Sequence, residues 1–226
     1  MKAREFFQQL IYRIINPLVK LLIRLNVKPD TVTTFGLILN IAAAIVFIYG
    51  GKYGERGHLK YVGCGCGLIL FAGLFDMLDG QVARVGHMSS RFGALYDSVL
   101  DRYSELIMFF GICYYLDVHH YFLSSLFAFI ALIGSMMVSY TRARAEAIGI
   151  ECKGGLMQRP ERIIIIGTSG LICGIVSGFD EGNFKLNIDW FPLETITIFT
   201  LPITIVAVLT NITAINRLIH CKKELK

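Results

Sequence analysis

The chain has 226 residues, of which 54% are hydrophobic and only 17% are charged. Soluble domains average about 45–50% apolar and about 25% charged residues, so this composition excludes an ordinary soluble domain and indicates an integral membrane protein. The net charge of +5 is explained by the distribution of lysine and arginine about the membrane, and we expect no nucleic-acid binding.

The first 30 residues precede the first apolar span and are predicted to form a separate juxtamembrane element. Within residues 3–25, apolar side chains recur at helical spacing, whereas cations such as Arg4 and Arg13 fall largely on the other face. This pattern is typical of an amphipathic helix that lies in the membrane interface, and Pro17 should kink or restart it. We expect no cleavable signal peptide, because the apolar sequence begins only after residue 30.

Six windows are apolar enough to cross a bilayer, which takes about 20 residues of helix. Because the apolar runs are continuous rather than alternating, they favour helices over a β-barrel. We therefore predict an all-α membrane protein with six transmembrane helices, preceded by the N-terminal interfacial amphipathic helix. The windows are 32–50, 59–79, 92–116, 121–141, 163–179 and 191–216. The predicted domains are residues 1–30 for the juxtamembrane helix, 31–217 for the six-helix membrane domain and 218–226 for a basic cytoplasmic tail.

Lysine and arginine predict the orientation of these spans. With six spans, both termini lie on one side of the membrane, together with the connections 80–91 and 142–162. Eighteen of the 22 Lys and Arg residues then fall on that side. Because cytoplasmic segments are enriched in these residues, we expect both termini and these two connections to face the cytoplasm. We expect the membrane to be the cell's inner, cytoplasmic membrane.

Four aspartates between residues 76 and 101 stand out in this apolar chain. Asp76 and Asp79 share one helix face, and Asp97 and Asp101 share another. Helices joined by a short connection are antiparallel neighbours, so the two faces are predicted to enclose one cavity at the cytoplasmic boundary. An ionised aspartate at the centre of a membrane helix costs about 2.5–3.5 kcal/mol, so this cluster indicates a bound cation. The full pattern is Asp76-x2-Asp79-Gly80-x2-Ala83-Arg84-x8-Gly93-x3-Asp97-x3-Asp101.

Four carboxylates suit hard divalent cations and can hold two ions. A two-metal site clamps the attacking and leaving oxygens of a phosphoryl displacement, so the cluster favours phosphoryl-transfer chemistry. Small residues interleave with the acids and leave room for a bulky ligand. Arg84 could neutralise a phosphate oxygen, and Ser89 or Ser90 could cap the third helix.

Two other interpretations of the acids remain open at this stage. One is an intramembrane charge network that holds the helices together, with Arg84, Arg91 and Arg102 as counterions. The other is a divalent-cation transporter, since acids within a helix bundle often mark ion pathways. A transporter should place acids along several spans, whereas the middle of spans four to six contains neither Asp nor Glu, which favours an enzyme.

The aspartate pattern is the signature of the CDP-alcohol phosphotransferases, and the sequence resembles that family over essentially its whole length. The resemblance implies a homodimeric membrane enzyme that uses Mg²⁺ or Mn²⁺, with two ions, to transfer a phosphatidyl group from a CDP-linked lipid to an alcohol. It implies that Asp76, Asp79 and Asp97 bind the metals. It implies that Asp101 contacts the second metal and acts as the general base. The CDP-lipid-binding residues that it implies are Asp30, Thr31, Thr33, Asp79, Gly80, Ala83, Arg84, Ser90 and Gly93.

A cluster of cations between residues 142 and 162 follows the fourth span, next to the predicted active site. An acceptor that carries its own phosphate would need this charge, whereas free inositol or serine would not, and planar arginines suit phosphate. Topology and contact with lipid headgroups are the alternative explanation. One of the first two arginines can bind substrate while the other pairs with Glu146 or the aspartates. The predicted acceptor-phosphate residues are Arg142, Arg144, Lys153 and Arg159.

The same loop resembles the prokaryotic phosphatidylinositol-phosphate synthases, in Arg142-Ala143-Arg144-Ala145-Glu146, Gly154-Gly155 and Arg159-Pro160-Glu161-Arg162. This resemblance implies that CDP-diacylglycerol and inositol 1-phosphate are the substrates and that the product is phosphatidylinositol phosphate. The nearest alternative acceptor is glycerol 3-phosphate, which would make the chain a phosphatidylglycerophosphate synthase. The expected partners are therefore CDP-diacylglycerol, a phosphorylated polyol, membrane lipids and a second copy of the chain.

Overall fold

The structure is a computed structural model that describes residues 15–152, 154–155, 157–179, 185–188 and 191–225. Its described residues form seven helices and one short hairpin. Helix α1 covers residues 15–24 of the described chain. The remaining elements are α2 (Pro29–Tyr53), α3 (Lys60–Val85), α4 (Arg91–Val118), α5 (Phe122–Ala147), α6 (Arg159–Phe179), β1 (Lys185–Ile188), β2 (Phe191–Glu194) and α7 (Thr197–Glu224).

Five helices, α2, α3, α5, α6 and α7, are long and apolar enough to cross a membrane. Helix α4 has 28 residues but does not meet the same criterion, since Asp97, Asp101 and Glu105 lie within its first 15 residues. The chain is therefore a predominantly helical integral membrane protein. Several helices extend beyond their predicted windows at the end that carries the aspartates and arginines, so α3 continues to Val85 and α5 to Ala147.

The hairpin is an addition that the hydropathy windows did not predict. Strands β1 and β2 pair antiparallel, with Lys185 opposite Glu194. The last predicted window began at residue 191, whereas residues 191–194 form β2 and α7 begins at Thr197. Apolar residues continue across this boundary, and a short apolar run does not distinguish a strand from the start of a helix.

Helix α1 lies against the ends of α2 and α3. Its Val19 is 1% exposed and packs with Leu78 and Val82 of α3, whereas Leu18 and Leu21 on the other face are exposed. The apolar residues of α1 are thus divided between a protein-facing stripe and an exposed one. The predicted amphipathic helix began at residue 3, and its residues before 15 lie outside the described part of the chain.

Neighbours along the chain and helices two or three elements apart both pack together in the bundle. Helix α2 packs on α3 and α4, α4 on α5, α5 on α7, and α6 on α3 and α7. Helices α3 and α6 cross at Gly63 and Gly174, where a Cβ on Gly63 would lie 2.9 Å from the Cα of Gly174. The missing side chains allow this close backbone approach, as in other membrane helix pairs with small residues at the contact. The largest buried cluster, which includes Phe47, Phe109 and Phe199, fills the centre of the bundle.

Three connections are tied together at the end of the bundle that faces away from the aspartates. The Tyr121 hydroxyl donates to Glu194 Oε2 at 2.7 Å, and Arg56 Nη2 donates to Glu194 Oε1 at 3.3 Å. Burial raises the pKa of Tyr121 to about 12, so this hydroxyl stays protonated and remains a donor at physiological pH. Side-chain contacts thus join the connections at this end of the bundle. The two cavities considered below lie at the other end, beside the aspartates.

Candidate active site

Three aspartates converge where α3 approaches the first half of α4. One carboxylate oxygen from each of Asp76, Asp97 and Asp101 lies within 4.8 Å of the other two. Oxygens gathered in this way suit a divalent cation with hard ligands. Asp97 Oδ1 is also buried without a hydrogen-bond partner among the described residues, and a bound cation would satisfy it. The residues present therefore fit a metal.

The fourth predicted ligand, Asp79, lies beside these three and is held by α2. Its side chain is buried, and its Oδ2 accepts a hydrogen bond of 2.7 Å from Thr33 Oγ1. Asp79 and Asp76 line one small cavity together with Asp101, so all four predicted ligands lie at one place. The hydrogen bond from Thr33 anchors one oxygen of Asp79 to the start of α2.

A pocket of about 340 Å³, here called the glycine pocket, opens on one side of the aspartates. The start of α2, the end of α3 and the start of α4 form its walls. Thr31 is not among the described residues that line it. The predicted CDP-lipid residues that do line it are Asp30, Thr33, Asp79, Gly80, Ala83, Arg84, Ser90 and Gly93.

Local contacts explain why small residues line the glycine pocket. A Cβ on Gly93 would lie 3.2 Å from Asp30 Oδ1, so glycine lets α2 and α4 come together here. A Cβ on Gly80 would have only Arg84 Nη2 near it, at 3.7 Å, so glycine leaves this wall of the pocket open. Ser90 caps α4 by accepting a hydrogen bond of 2.8 Å from the backbone N–H of Gly93. Ser89, the other predicted cap, donates instead to the carbonyl of Ala83 at 3.1 Å.

A second cavity, of about 460 Å³ and here called the arginine cavity, lies on the other side of Asp101. It is bounded by α4, α5, the segment before α6, and α7. Because many cations surround it and it reaches Asp101, it suits a small anion such as a phosphorylated substrate. Its arginines are Arg102, Arg142, Arg159, Arg162 and Arg217.

Arg159 connects the arginine cavity to the acidic cluster. Its Nη1 lies 2.7 Å from Asp76 Oδ1 and 2.8 Å from Asp101 Oδ1. Arg142 pairs with Glu146 instead, through a contact of 2.8 Å between Nε and Oε1. The sequence predicted that one of Arg142 and Arg144 binds substrate while the other pairs with Glu146 or the aspartates. In the structure Arg142 makes the pair with Glu146, and the contact with the aspartates comes from Arg159.

The structure separates the predicted acceptor residues into two groups. Arg142 and Arg159 line the arginine cavity with Asp101, whereas Arg144 lines another groove, of about 590 Å³, between the ends of α5 and α7. The lining of that groove is mostly apolar and includes Ile148 and Leu218. Lys153 lies outside the described residues.

Sequence reasoning missed two residues that shape the arginine cavity. Arg217 of α7 is buried, and its guanidinium donates to the carbonyls of Gly154 at 2.9 Å and Val138 at 2.6 Å. Glu105 of α4 forms a buried ion pair with Arg162, with Oε1 and Nη2 2.6 Å apart. The spacing of Glu105, four residues after Asp101, would have indicated that it continues the acidic face of α4.

Comparison with known proteins identifies the family. Residues 26–215 match the family model described as CDP-alcohol phosphatidyltransferase. A phosphatidylinositol phosphate synthase from Mycobacteroides abscessus is 38% identical over 173 residues, which are 76% of this chain and 73% of the relative. An archaetidylinositol phosphate synthase from Methanothermobacter thermautotrophicus is 33% identical over 220 residues, which are 97% of this chain and 94% of the relative.

Solved structures agree with the sequence relatives. The crystal structure of Mycobacterium tuberculosis phosphatidylinositol phosphate synthase with CDP-DAG bound has a TM-score of 0.72 to this chain and 32% identity, covering 92% of this chain and 94% of that one. The structure of the same enzyme in complex with manganese and citrate has a TM-score of 0.71 and 29% identity, covering 91% and 87%. The chain therefore belongs to the CDP-alcohol phosphatidyltransferase family.

Proposed function

We propose that this chain transfers the phosphatidyl group of CDP-diacylglycerol to inositol 1-phosphate, forming phosphatidylinositol phosphate and releasing CMP. The observation that carries the proposal is the arginine cavity, which reaches the acidic cluster at Asp101. A neutral alcohol would not need several arginines around it, whereas an acceptor phosphate would be neutralised by them. The names of the mycobacterial and archaeal relatives support an inositol phosphate product.

In this proposal Asp101 starts the transfer. Its carboxylate accepts the proton of the acceptor hydroxyl, and the oxygen forms a bond to the β-phosphorus of CDP-diacylglycerol. The bond between this phosphorus and the bridging oxygen breaks, and CMP leaves with the electron pair. Arg159, whose Nη1 lies 2.8 Å from Asp101 Oδ1, holds the acceptor phosphate within reach of the base. Arg142, on the wall formed by α5, supplies a second cation to the same phosphate.

The glycine pocket holds the CDP-linked lipid in this proposal. Its small residues leave room for the nucleotide, and Arg84 lies at its wall to balance phosphate charge. The pocket meets the aspartates at Asp79 and Asp97, so the pyrophosphate of the donor comes next to the cluster. The related mycobacterial structure with CDP-DAG bound supports this assignment.

Asp76, Asp79, Asp97 and Asp101 would hold the divalent cations, which we propose to be two Mg²⁺ or Mn²⁺ ions. When bound, the metal would supply positive charge that stabilises the phosphate oxygens during transfer. The convergence of three of these carboxylates and the unpartnered Asp97 Oδ1 support a cation here. The related structure in complex with manganese and citrate supports the same conclusion.

We also propose that α4 is a sixth transmembrane helix and that α1 belongs to a helix in the membrane interface. The exposed Leu18 and Leu21 of α1 support contact with lipid. Both termini and the aspartates would face the cytoplasm from the cell's inner membrane, with two chains forming a homodimer. The domain bounds stay 1–30, 31–217 and 218–226, and α7 extends through most of the last segment to Glu224.

An acceptor competition tests the proposed function. The purified protein is assayed with CDP-diacylglycerol and Mg²⁺ or Mn²⁺, and inositol 1-phosphate, glycerol 3-phosphate, inositol and serine are compared through CMP release and the lipid formed. We expect inositol 1-phosphate to have the highest kcat/KM. A preference for glycerol 3-phosphate would instead assign phosphatidylglycerophosphate synthesis. A preference for inositol or serine would contradict the role given to the arginine cavity.

A further inference from the structure

Two ion pairs join α4 and α6, and their members lie one helical turn apart on each helix. Asp101 and Glu105 are four residues apart on α4, and Arg159 and Arg162 are three apart on α6, so each pair shares a helix face. Asp101 pairs with Arg159 at 2.8 Å, and Glu105 pairs with Arg162 at 2.6 Å. The first contact is part of the active site. In the second, Arg162 borders the arginine cavity but is 1% exposed, and Glu105 has no role in the chemistry proposed above.

The second contact is the more deeply buried of the two. The Glu105 and Arg162 side chains are 2% and 1% exposed, against 15% and 16% for Asp101 and Arg159. Both Nε and Nη2 of Arg162 approach the same oxygen, Glu105 Oε1. Glu105 Oε2 is buried without a hydrogen-bond partner in the described part of the chain. Such a pair is weak evidence for stability, because taking two charges out of water costs as much as their attraction returns.

The pair of Glu105 and Arg162 joins two helices, α4 and α6, that have few other contacts with each other. Helix α4 packs mainly on α2 and α5, whereas α6 packs mainly on α3 and α7. Arg162 also donates through Nη1 to the carbonyl of Met157 at 2.9 Å, in the segment that leads into α6 and forms one wall of the arginine cavity. Glu105 therefore connects α4, through one arginine, to both α6 and the preceding segment.

We propose that Glu105 is a positioning residue for the acceptor: through Arg162 it sets the separation of α4 and α6, and thereby the placement of Arg159 against Asp101. The inference rests on the proposed function only in taking the arginine cavity as the acceptor site. A small displacement of a binding group is enough to weaken a reaction strongly, since productive geometry is narrow. Loss of the pair should thus reduce acceptor use and leave use of the CDP-linked lipid nearly unchanged.

The test replaces both members of the pair by residues of similar volume, in the double variant Glu105→Met/Arg162→Met. Apolar replacement of both charges leaves no unpaired buried charge, so we expect the variant to fold with near-normal thermal stability. We expect its KM for the acceptor to rise about tenfold or more, while its KM for CDP-diacylglycerol changes less than about twofold. Mn²⁺ binding, followed by electron paramagnetic resonance, should be retained.

A second variant keeps the test decisive if the double variant fails to fold. Arg162→Lys keeps the positive charge beside Glu105 but cannot also reach the carbonyl of Met157 as a planar guanidinium does. We expect an acceptor KM between those of the wild-type protein and the double variant. The matched control is Arg56→Met/Glu194→Met, an ion pair at the opposite end of the bundle, which should alter neither KM.

The acceptor KM is measured with whichever phosphorylated acceptor the wild-type protein prefers, so an error in the proposed substrate is separated from an error in the role of Glu105. A wild-type acceptor KM in a folded double variant, or in Arg162→Lys if only that variant folds, would overturn the inference. An equal rise in both KM values, with weaker Mn²⁺ binding, would show a merely structural role and would also overturn it.

Discussion

The two cavities beside the aspartates differ in how the chain builds them. The glycine pocket is lined by residues from the start of α2, the end of α3 and the start of α4, all between positions 29 and 97. The arginine cavity draws its lining from α4, α5, α6 and α7, between positions 95 and 217. Small residues define the first, whereas cations define the second.

This difference indicates how specificity is divided between the two sites. The glycine pocket depends on small residues that lie between the aspartates in the sequence and on close approach of helix backbones. The same stretch of sequence therefore specifies both the pocket and the acidic cluster. The arginine cavity depends on how four helices pack, so its charge and shape can change without altering the acidic cluster. We infer that the choice of acceptor is made mainly in the arginine cavity.

Metal removal should have the largest effect, because the aspartates serve both cavities. Chelation with EDTA is expected to abolish CMP release, and added Mg²⁺ or Mn²⁺ should restore it. Asp97→Asn should weaken Mn²⁺ binding measured by electron paramagnetic resonance, since Asp97 Oδ1 has no other described partner. Asp117→Asn, at the far end of the same helix, is the matched control and should bind Mn²⁺ normally. Full activity in EDTA would contradict the metal assignment.

Removal of the proposed general base, Asp101, should have the second-largest effect. Asp101→Asn is expected to lower kcat about 10²–10⁴-fold, because general-base catalysis contributes about that much. The variant should keep its fold, since asparagine has nearly the same shape and can still accept a hydrogen bond from Arg159. CMP release and thermal unfolding measure the two properties. Near-normal kcat would remove Asp101 from the role of base.

Filling the glycine pocket should affect only the donor. Gly80→Leu is expected to raise the KM for CDP-diacylglycerol about tenfold or more, because the side chain would occupy space open to the ligand. The acceptor KM should remain unchanged. Gly178→Leu places the same side chain at an open site near the other end of the bundle and should leave both constants unchanged. Equal effects on donor and acceptor would break the division between the two cavities.

Two neighbouring arginines test the acceptor side. Arg142→Gln should raise the acceptor KM about tenfold, since a hydrogen bond to a charged group contributes about 1.5–3 kcal/mol. Arg144→Gln should change it less than about twofold, because Arg144 lines the separate groove between α5 and α7. The two residues are closely matched, because both are arginines of α5 and they lie two positions apart. If both variants lose acceptor affinity equally, Arg144 also serves the arginine cavity.

The smallest expected effect concerns the cap of α4. Ser90→Ala removes the acceptor for the Gly93 N–H, which should cost about 1 kcal/mol and lower the Tm by a few degrees. Ser89→Ala should lower the Tm less, because its hydroxyl donates to the carbonyl of Ala83 and caps no N–H group of α4. A thermal unfolding series in detergent compares them. A larger loss for Ser89→Ala would place the cap at the wrong serine.

The convergence of the aspartates and of the small residues near them could be predicted from the sequence. Three of the four predicted ligands meet within 4.8 Å, and most of the predicted CDP-lipid residues line one pocket. The reason is that helical spacing places residues three or four apart on a common face. The two faces meet at one cavity because α3 and α4 both pack on α2. Asp30 and Thr33 could be included because the resemblance to a known family covered the start of α2.

The arginine cavity was predicted only in part. Arg142 and Arg144 are equivalent in a sequence, yet a difference of two positions turns them toward different cavities. Arg217 follows the last apolar run, and nothing in its local sequence relates it to Gly154 or Val138, more than 60 positions away. The pairing of Glu105 with Arg162 likewise joins helices that are separated by α5 in the chain.

The sequence by itself determined the membrane class, the five most apolar helices and the grouping of the aspartates, because composition and helical periodicity are local properties. It also indicated that a phosphorylated acceptor needs the cations between residues 142 and 162. Only the tertiary structure decided which of those cations meet Asp101, since that depends on how α4, α5, α6 and α7 pack around one cavity. The physical reason is that periodicity sets the face of a helix, whereas contacts between distant helices set what that face meets.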